Sequence, residues 1–335
     1  MSVLNSRAVR FHQVGDASVL KIENVTLPAP AKEQVRIKVQ TIGLNRAEVM
    51  FRNGAYLEAP QFPSRLGYEA AGVVEAVGEG VNDIRVGDRV STLPAFSMGE
   101  FGVYGEHAIV PAHAVAKVPQ AFSAQQGTAI WMQYITAYGA LVHHAQIKKD
   151  QFVLITAASS SVGIAAIQIA KSIGATVIAT SRGKEKAKLL TEHGADYIIQ
   201  TNTQDLVAEI LKITSGKGVE LVFDPIGGPI VNQLAEASAQ GGRIIEYGAL
   251  DSDATPFPLF TALAKGLTIQ GYTIFEITQN AQYLKDAKGY LLPLFENQDL
   301  LPVIDKEFQF EDIQLAHEYM ESNQQVGKII VNVAP

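Results

Sequence analysis

The chain has 335 residues, 47% of them hydrophobic, enough to fill the cores of two domains. Its formal charge is −7, from 27 Lys and Arg against 34 Asp and Glu, and the cations are scattered, so it lacks the basic stripe by which a nucleic acid would be held. Cysteine is absent, which excludes disulfides, thiolate metal ligands and cysteine nucleophiles together.

At the N-terminus, Met1-Ser2-Val3-Leu4-Asn5-Ser6-Arg7 lacks the apolar core of a signal peptide, and no later run reaches the roughly 20 apolar residues of a membrane span. A cytoplasmic protein without a membrane partner is expected. Up to about residue 125, short β-rich runs alternate with Gly, Pro and Asn turns: Val35–Thr41, Ala71–Val77, Asp88–Ser91 and His107–Pro111. From Gln126 to Gly139 the composition becomes aromatic and Ala-rich, which predicts one helix linking two domains.

After Asp150 the pattern becomes a regular alternation of apolar runs and amphipathic stretches, the signature of a parallel sheet wrapped by helices. Strands are predicted at Phe152–Ala157, Thr176–Thr180, Tyr197–Ile199, Glu220–Phe223, Arg243–Tyr247 and Thr268–Tyr272. Helices are predicted at Val162–Ile173, Lys184–His193, Gln204–Thr214 and Ile230–Ala239. Six strands make a complete dinucleotide-binding sheet. The tail, with helices near Gln282–Phe295 and Phe310–Ser322 and a strand Lys328–Val333, is expected to return to the first domain. The division is thus 1–125 completed by 275–335, and 126–274.

The turn Ala157-Ala158-Ser159-Ser160-Ser161-Val162-Gly163 joins the first of these strands to a helix, whose N-terminal N–H groups and dipole suit a pyrophosphate. The three glycine places of the usual G-x-G-x-x-G fingerprint hold Ala158, Ser160 and Gly163, so only the glycine of helix–strand packing is kept. Serine hydroxyls can donate to phosphate oxygens as backbone N–H groups do. After the second strand comes Ser181-Arg182-Gly183-Lys184-Glu185-Lys186, with no acid at the strand end to bind ribose hydroxyls. Ser181, Arg182 and Lys186 offer a hydroxyl and two cations, a set suited to a 2′-phosphate, which selects NADPH. Cations in a first helical turn oppose the dipole, and a bound anion would give them a reason to be there.

These residues and several other segments, in order, resemble the medium-chain dehydrogenase/reductase superfamily, and within it the zinc-free quinone oxidoreductase branch that includes zeta-crystallin. The resemblance rests on Gly43-Leu44-Asn45-Arg46-Ala47-Glu48, Arg52-Asn53-Gly54-Ala55-Tyr56, Gly67-Tyr68-Glu69-Ala70-Ala71-Gly72-Val73-Val74, Val86-Gly87-Asp88-Arg89-Val90, Thr136-Ala137-Tyr138, Asp224-Pro225-Ile226-Gly227-Gly228 and Tyr247-Gly248. It implies an α/β protein: a GroES-like β-rich substrate domain, a Rossmann doubly wound parallel sheet inserted before the tail, and an active site in the cleft between them. Two departures stand out. Ser160 and Ser161 replace two glycines of the family loop, and Met50 replaces an active-site tyrosine.

Zinc alcohol dehydrogenases of that superfamily hold their metal with Cys and with His in a Gly-His-Glu context; here the context reads Gly67-Tyr68-Glu69, so no metal site is expected. Without a Lewis acid, acceptors that delocalise charge after hydride arrival are favoured, namely quinones and α,β-unsaturated carbonyls. The resemblance implies that Asn45 lies beside the nicotinamide ribose and substrate; Asn45 as a helix cap is the alternative. Tyr56 is the candidate proton donor or oxyanion stabiliser, with water as the other source of the proton. Thr136, Ser160, Ser161 and Val162 are assigned by resemblance to phosphate, Tyr247, Gly248 and Ala249 to ribose, and Tyr272 and Thr273 to the nicotinamide, mainly through backbone. Glu48 and Arg52, one helical turn apart, are placed to form a salt bridge. Trp131, Met132, Tyr134 and Tyr138 are either core or the lining of an apolar acceptor pocket, core being the simpler reading. The expected function is NADPH-dependent, zinc-independent reduction of a small apolar electrophile by a homodimer. The alternatives are a crystallin-like NADPH-binding protein with little turnover and an alcohol dehydrogenase-type carbonyl reductase.

Overall fold

Strand β1 (Leu4–Arg10) pairs with β2 (Lys21–Leu27) antiparallel, from Leu4 opposite Leu27 to Arg10 opposite Lys21. The computed structural model describes residues 3–333. In β3 (Gln34–Gly43), Val35, Ile37 and Val39 are buried while Lys38 and Gln40 face outward, the period of two that a one-sided sheet imposes. It pairs antiparallel with β4 (Glu69–Val77), followed by β5 (Arg89–Thr92), β6 (His107–Pro111) and β7 (Val115–Lys117). β6 joins on β3.

The six strands of the second region are all parallel: β8 (Phe152–Ile155), β9 (Thr176–Ser181), β10 (Tyr197–Gln200), β11 (Val219–Asp224), β12 (Ser238–Glu246) and β13 (Thr268–Gly271). Their spatial order is β10-β9-β8-β11-β12-β13, the doubly wound order in which strand succession reverses beside β8. Helices cover such a sheet on both faces, so its strands are apolar runs rather than alternating ones. Leu154, Ile178, Ile199, Val222 and Ile244 pack with Ile210 and Leu234 of the flanking helices, all nearly inaccessible. In the tail, β14 (Ile304–Gln309) runs parallel to β15 (Lys328–Asn332), which pairs antiparallel with β3. The GroES-like β-rich unit and the Rossmann sheet are therefore both present.

The chain divides into residues up to Met132 with those from Leu301 onward, and Gln133–Leu300. These limits differ from the expected 125/126 and 274/275. Helix Ala281–Glu296 stays with the Rossmann unit because Phe295 packs edge-on against Tyr134 at 5.0 Å and Tyr290 against Tyr138 at 5.2 Å. The predicted linking helix is two helices, Ala124–Thr128 and Trp131–Tyr138, the first opened by a reciprocal Ser123 and Gln126 cap. Lys184–His193 likewise splits into a 3₁₀ turn, Lys184–Lys186, and a helix, Ala187–Glu192.

Candidate functional site

The phosphate turn follows directly from β8. Ala157 adopts φ +43°, a left-handed conformation that costs an L-residue on the order of 1 kcal/mol and is tolerated where the surroundings enforce it. Ser160 then caps helix Ser161–Ile173, its Oγ accepting from the Gly163 N–H at 3.0 Å. Gly163 is the one fingerprint place that still holds glycine, and a Cβ there would lie 2.5 Å from the Ala158 carbonyl oxygen. Ser161 and Val162 form the first turn, half-buried.

At the end of β9 no carboxylate is present. The Ser181 hydroxyl is spent on the Gly183 carbonyl at 3.0 Å, so it is a turn brace rather than the phosphate donor expected. Arg182 is exposed and makes no hydrogen bond or ion pair with any described residue. Lys186 reaches back to Ser159 Oγ at 3.3 Å, which links the strand-end cation to the serine turn. The donor set, serine hydroxyls and helix N–H groups on one side and two cations on the other, fits a dinucleotide carrying an additional phosphate.

Beyond β11 and β12 lies a pair of carboxyls that sequence reading missed. Asp224 and Glu246 are direct neighbours in the parallel register. Asp224 is fully buried and accepts from Thr156 Oγ1, the Gly227 N–H at 2.7 Å and the Ile226 N–H at 3.1 Å. Burial, then the Asp224 charge, pushes Glu246 up to about 9, so Glu246 holds a proton at neutral pH. Tyr247 stacks on Phe223 with centroids 4.0 Å apart, and Gly248 and Ala249 are exposed beyond it. Tyr272 is buried with its hydroxyl donating to the Ile135 carbonyl at 3.3 Å, while the Thr273 N–H donates to Glu276 at 3.2 Å. Both side chain and amide are thus engaged there. Thr136 is buried on helix Trp131–Tyr138.

In the β-rich unit, the segment Gly43–Glu48 meets β15 in a buried polar cluster. Lys328 and Glu69, both 0% exposed, form an ion pair. Lys328 also donates to Asn45 Oδ1 at 2.6 Å. Asn45 Nδ2 donates to Glu69 at 3.1 Å and to Glu48 at 3.2 Å, and Glu48 accepts from the Asn45 and Tyr68 N–H groups at 2.7 and 3.1 Å. Both amide protons of Asn45 are therefore taken, and its side chain fixes the cluster and starts helix Arg46–Arg52. Burial pushes Glu48 up to about 7, with the Lys328 charge opposing it. The expected Glu48–Arg52 pair does not form. Arg52, also fully buried, turns the other way to Glu321 at 2.8 Å, the Gly15 carbonyl at 2.9 Å and His317 Nδ1 at 3.1 Å. Glu48 is captured by Asn45 and Tyr68 instead.

Tyr56 is half-buried, edge-on to Phe51 at 6.5 Å. Burial pushes its hydroxyl up to about 12, opposed by a hydrogen bond from Tyr68, the residue in the Gly-His-Glu histidine place. It stays protonated at any physiological pH. Trp131 is core, donating to Ser91 Oγ at 3.0 Å, and Tyr134 donates to Gln168 at 2.7 Å within the Rossmann unit.

Family models describe residues 31–120 as an alcohol dehydrogenase GroES-like domain and residues 161–288 as a zinc-binding dehydrogenase. A human quinone oxidoreductase is 32% identical over 331 residues, 97% of each chain. The Escherichia coli quinone oxidoreductase, solved in complex with NADPH, is 28% identical with a TM-score of 0.89 over 98% of this chain and 100% of that one. The Pseudomonas syringae quinone oxidoreductase superposes with a TM-score of 0.90 at 27% identity, over 98% and 100% of the two chains.

Proposed function

The chain belongs to the quinone oxidoreductases of the medium-chain dehydrogenase/reductase superfamily, and from that membership we propose that it is an NADPH-dependent reductase of quinones and related α,β-unsaturated carbonyls. The observation that supports the cofactor is the end of β9, where Arg182 and Lys186 stand in place of an acid and Lys186 reaches Ser159 of the serine-rich turn. NADPH, when bound, supplies the hydride. Ser160 and Ser161 hold the pyrophosphate together with the N–H groups of their helix, and Arg182 and Lys186 hold the 2′-phosphate. Tyr56 contributes a phenol that remains protonated and donates to the oxygen on which charge develops. Asn45 is a positioning residue, fixed by Lys328, Glu69 and Glu48. The chemistry requires no zinc, because Tyr68 stands where the histidine ligand would be and no cysteine exists in the chain.

The homodimer belongs to the same proposal. β13 is the outer strand of its sheet, and the neighbouring helix Leu259–Lys265 exposes Phe260 (84%) and Leu263 (70%), an apolar surface that a second copy would cover. Cytoplasmic residence goes with use of a soluble dinucleotide pool; no helix among the described residues is long and apolar enough to cross a membrane. Purified protein mixed with NADPH and a panel of quinones and enones should oxidise the nucleotide with at least one acceptor. Stabilisation by NADPH with no turnover across the panel would leave a binding protein and contradict the reading. Sedimentation at micromolar concentration should give twice the mass of one chain.

A further inference from the structure

On the β-rich unit, Phe11 and Ser64 exchange two backbone hydrogen bonds, N–H to carbonyl at 3.1 and 2.9 Å. An antiparallel bridge of this kind sets the adjoining residues, Arg10 and Arg65, opposite one another. Like charges directly opposite one another destabilise a sheet pair. Arg10 has partial relief from Glu23 at 3.4 Å. Arg65 has none: it is half-buried, and its guanidinium makes no hydrogen bond or ion pair with any described residue. Burial, then the charge of Arg10, lowers its pKa below the usual arginine value. Both arginines open into a recess of about 390 Å³, also lined by Asn24, Thr26, Gly99 and Glu100. The Glu100 carboxylate is exposed and forms no ion pair with either guanidinium.

We propose that this recess is a binding site for a small phosphate-bearing anion, held by the paired guanidinium groups of Arg10 and Arg65. A phosphate has enough acceptor oxygens for two guanidinium forks, whereas a single carboxylate satisfies one. The volume suits a small metabolite rather than a macromolecule. Placing two cations opposite each other in a chain of net charge −7 is a local conflict, and a bound anion removes it. The site is formed wholly within the β-rich unit, apart from the phosphate turn, and does not depend on the proposed activity.

The test uses full-length protein saturated with NADP⁺, so that the serine turn and Arg182 are occupied. Inorganic pyrophosphate is titrated calorimetrically at constant ionic strength, with sodium chloride and malonate as parallel arms. One saturable site per chain is expected, weakened at least tenfold by Arg65→Gln and less by Arg65→Lys. In anion-free buffer Arg65→Gln should melt no lower than the wild type, because it removes a repulsion. Equal binding by Arg65→Gln, no saturable heat above the chloride arm, or a lower melting temperature of the unliganded variant would each overturn the site. Tighter binding of malonate than of pyrophosphate would overturn the phosphate assignment.

Discussion

Lys328 and Glu69 neutralise each other where water does not reach, so their pairing is visible chiefly when one partner is removed. Lys328→Met should cost about 3–5 kcal/mol in urea unfolding by leaving Glu69 charged and unpaired. Adding Glu69→Gln should recover part of that loss, and simple additivity of the two losses would contradict the coupling. Glu246 gives the opposite kind of test. Its folded-state value of about 9 lies above the ordinary 4.5, so its contribution is intact below pH 4.5 and is lost as pH rises toward 9, where only the unfolded chain has released the proton. Glu246→Gln should flatten the decline of melting temperature between pH 6 and 9 and melt higher than the wild type at pH 9. An unchanged slope would show that the folded chain does not hold Glu246 protonated. Neither pair was legible in the sequence, because Lys328 and Glu69 lie 259 positions apart and Asp224 meets Glu246 only through strand register. The cations Arg182 and Lys186 were readable in the sequence because they directly follow an apolar strand run, whereas Tyr56 was singled out by family resemblance; the roles of all three are part of the proposal.

Among the elements, the strand–turn–helix of the phosphate turn carries the most constraint. Gly163→Ala sets a methyl group against the Ala158 carbonyl oxygen, and the helix must move away from β8. The expected cost is about 1–3 kcal/mol of stability together with weaker NADPH binding, read by thermal melts with and without nucleotide. Unaltered binding would mean that the turn does not hold the pyrophosphate. Apolar periodicity found all six parallel strands because a sheet covered on both faces needs continuous apolar runs. It failed where local capping decides the outcome: Ser123 and Gln126 start a separate short helix, and the predicted helix from Lys184 opens as a 3₁₀ turn. The Glu48–Arg52 spacing was equally misleading, since buried partners elsewhere outbid an i,i+4 neighbour that brings no additional hydrogen bonds.

For the whole molecule, the split of the β-rich unit was readable from the change of pattern at Asp150 and from the returning strand predicted at Lys328–Val333 and found at Lys328–Asn332, but the limits were not. Helix Ala281–Glu296 belongs to the Rossmann unit through Tyr138, Tyr134 and their partners, contacts that no local pattern announces. The function rests on the same level, on a sheet whose second strand ends in cations and whose first turn offers hydroxyls. Its central claim is the preference for the phosphorylated nucleotide. The decisive measurement is kcat/KM for NADPH and for NADH with one quinone acceptor, in the wild type and in Arg182→Gln/Lys186→Gln. Each charge-assisted contact is worth about 1.5–3 kcal/mol, so the wild type should favour NADPH by at least about tenfold and the double variant should lose most of that preference through KM. A wild type that uses NADH as well as NADPH, or a double variant that keeps the full preference, would contradict the account.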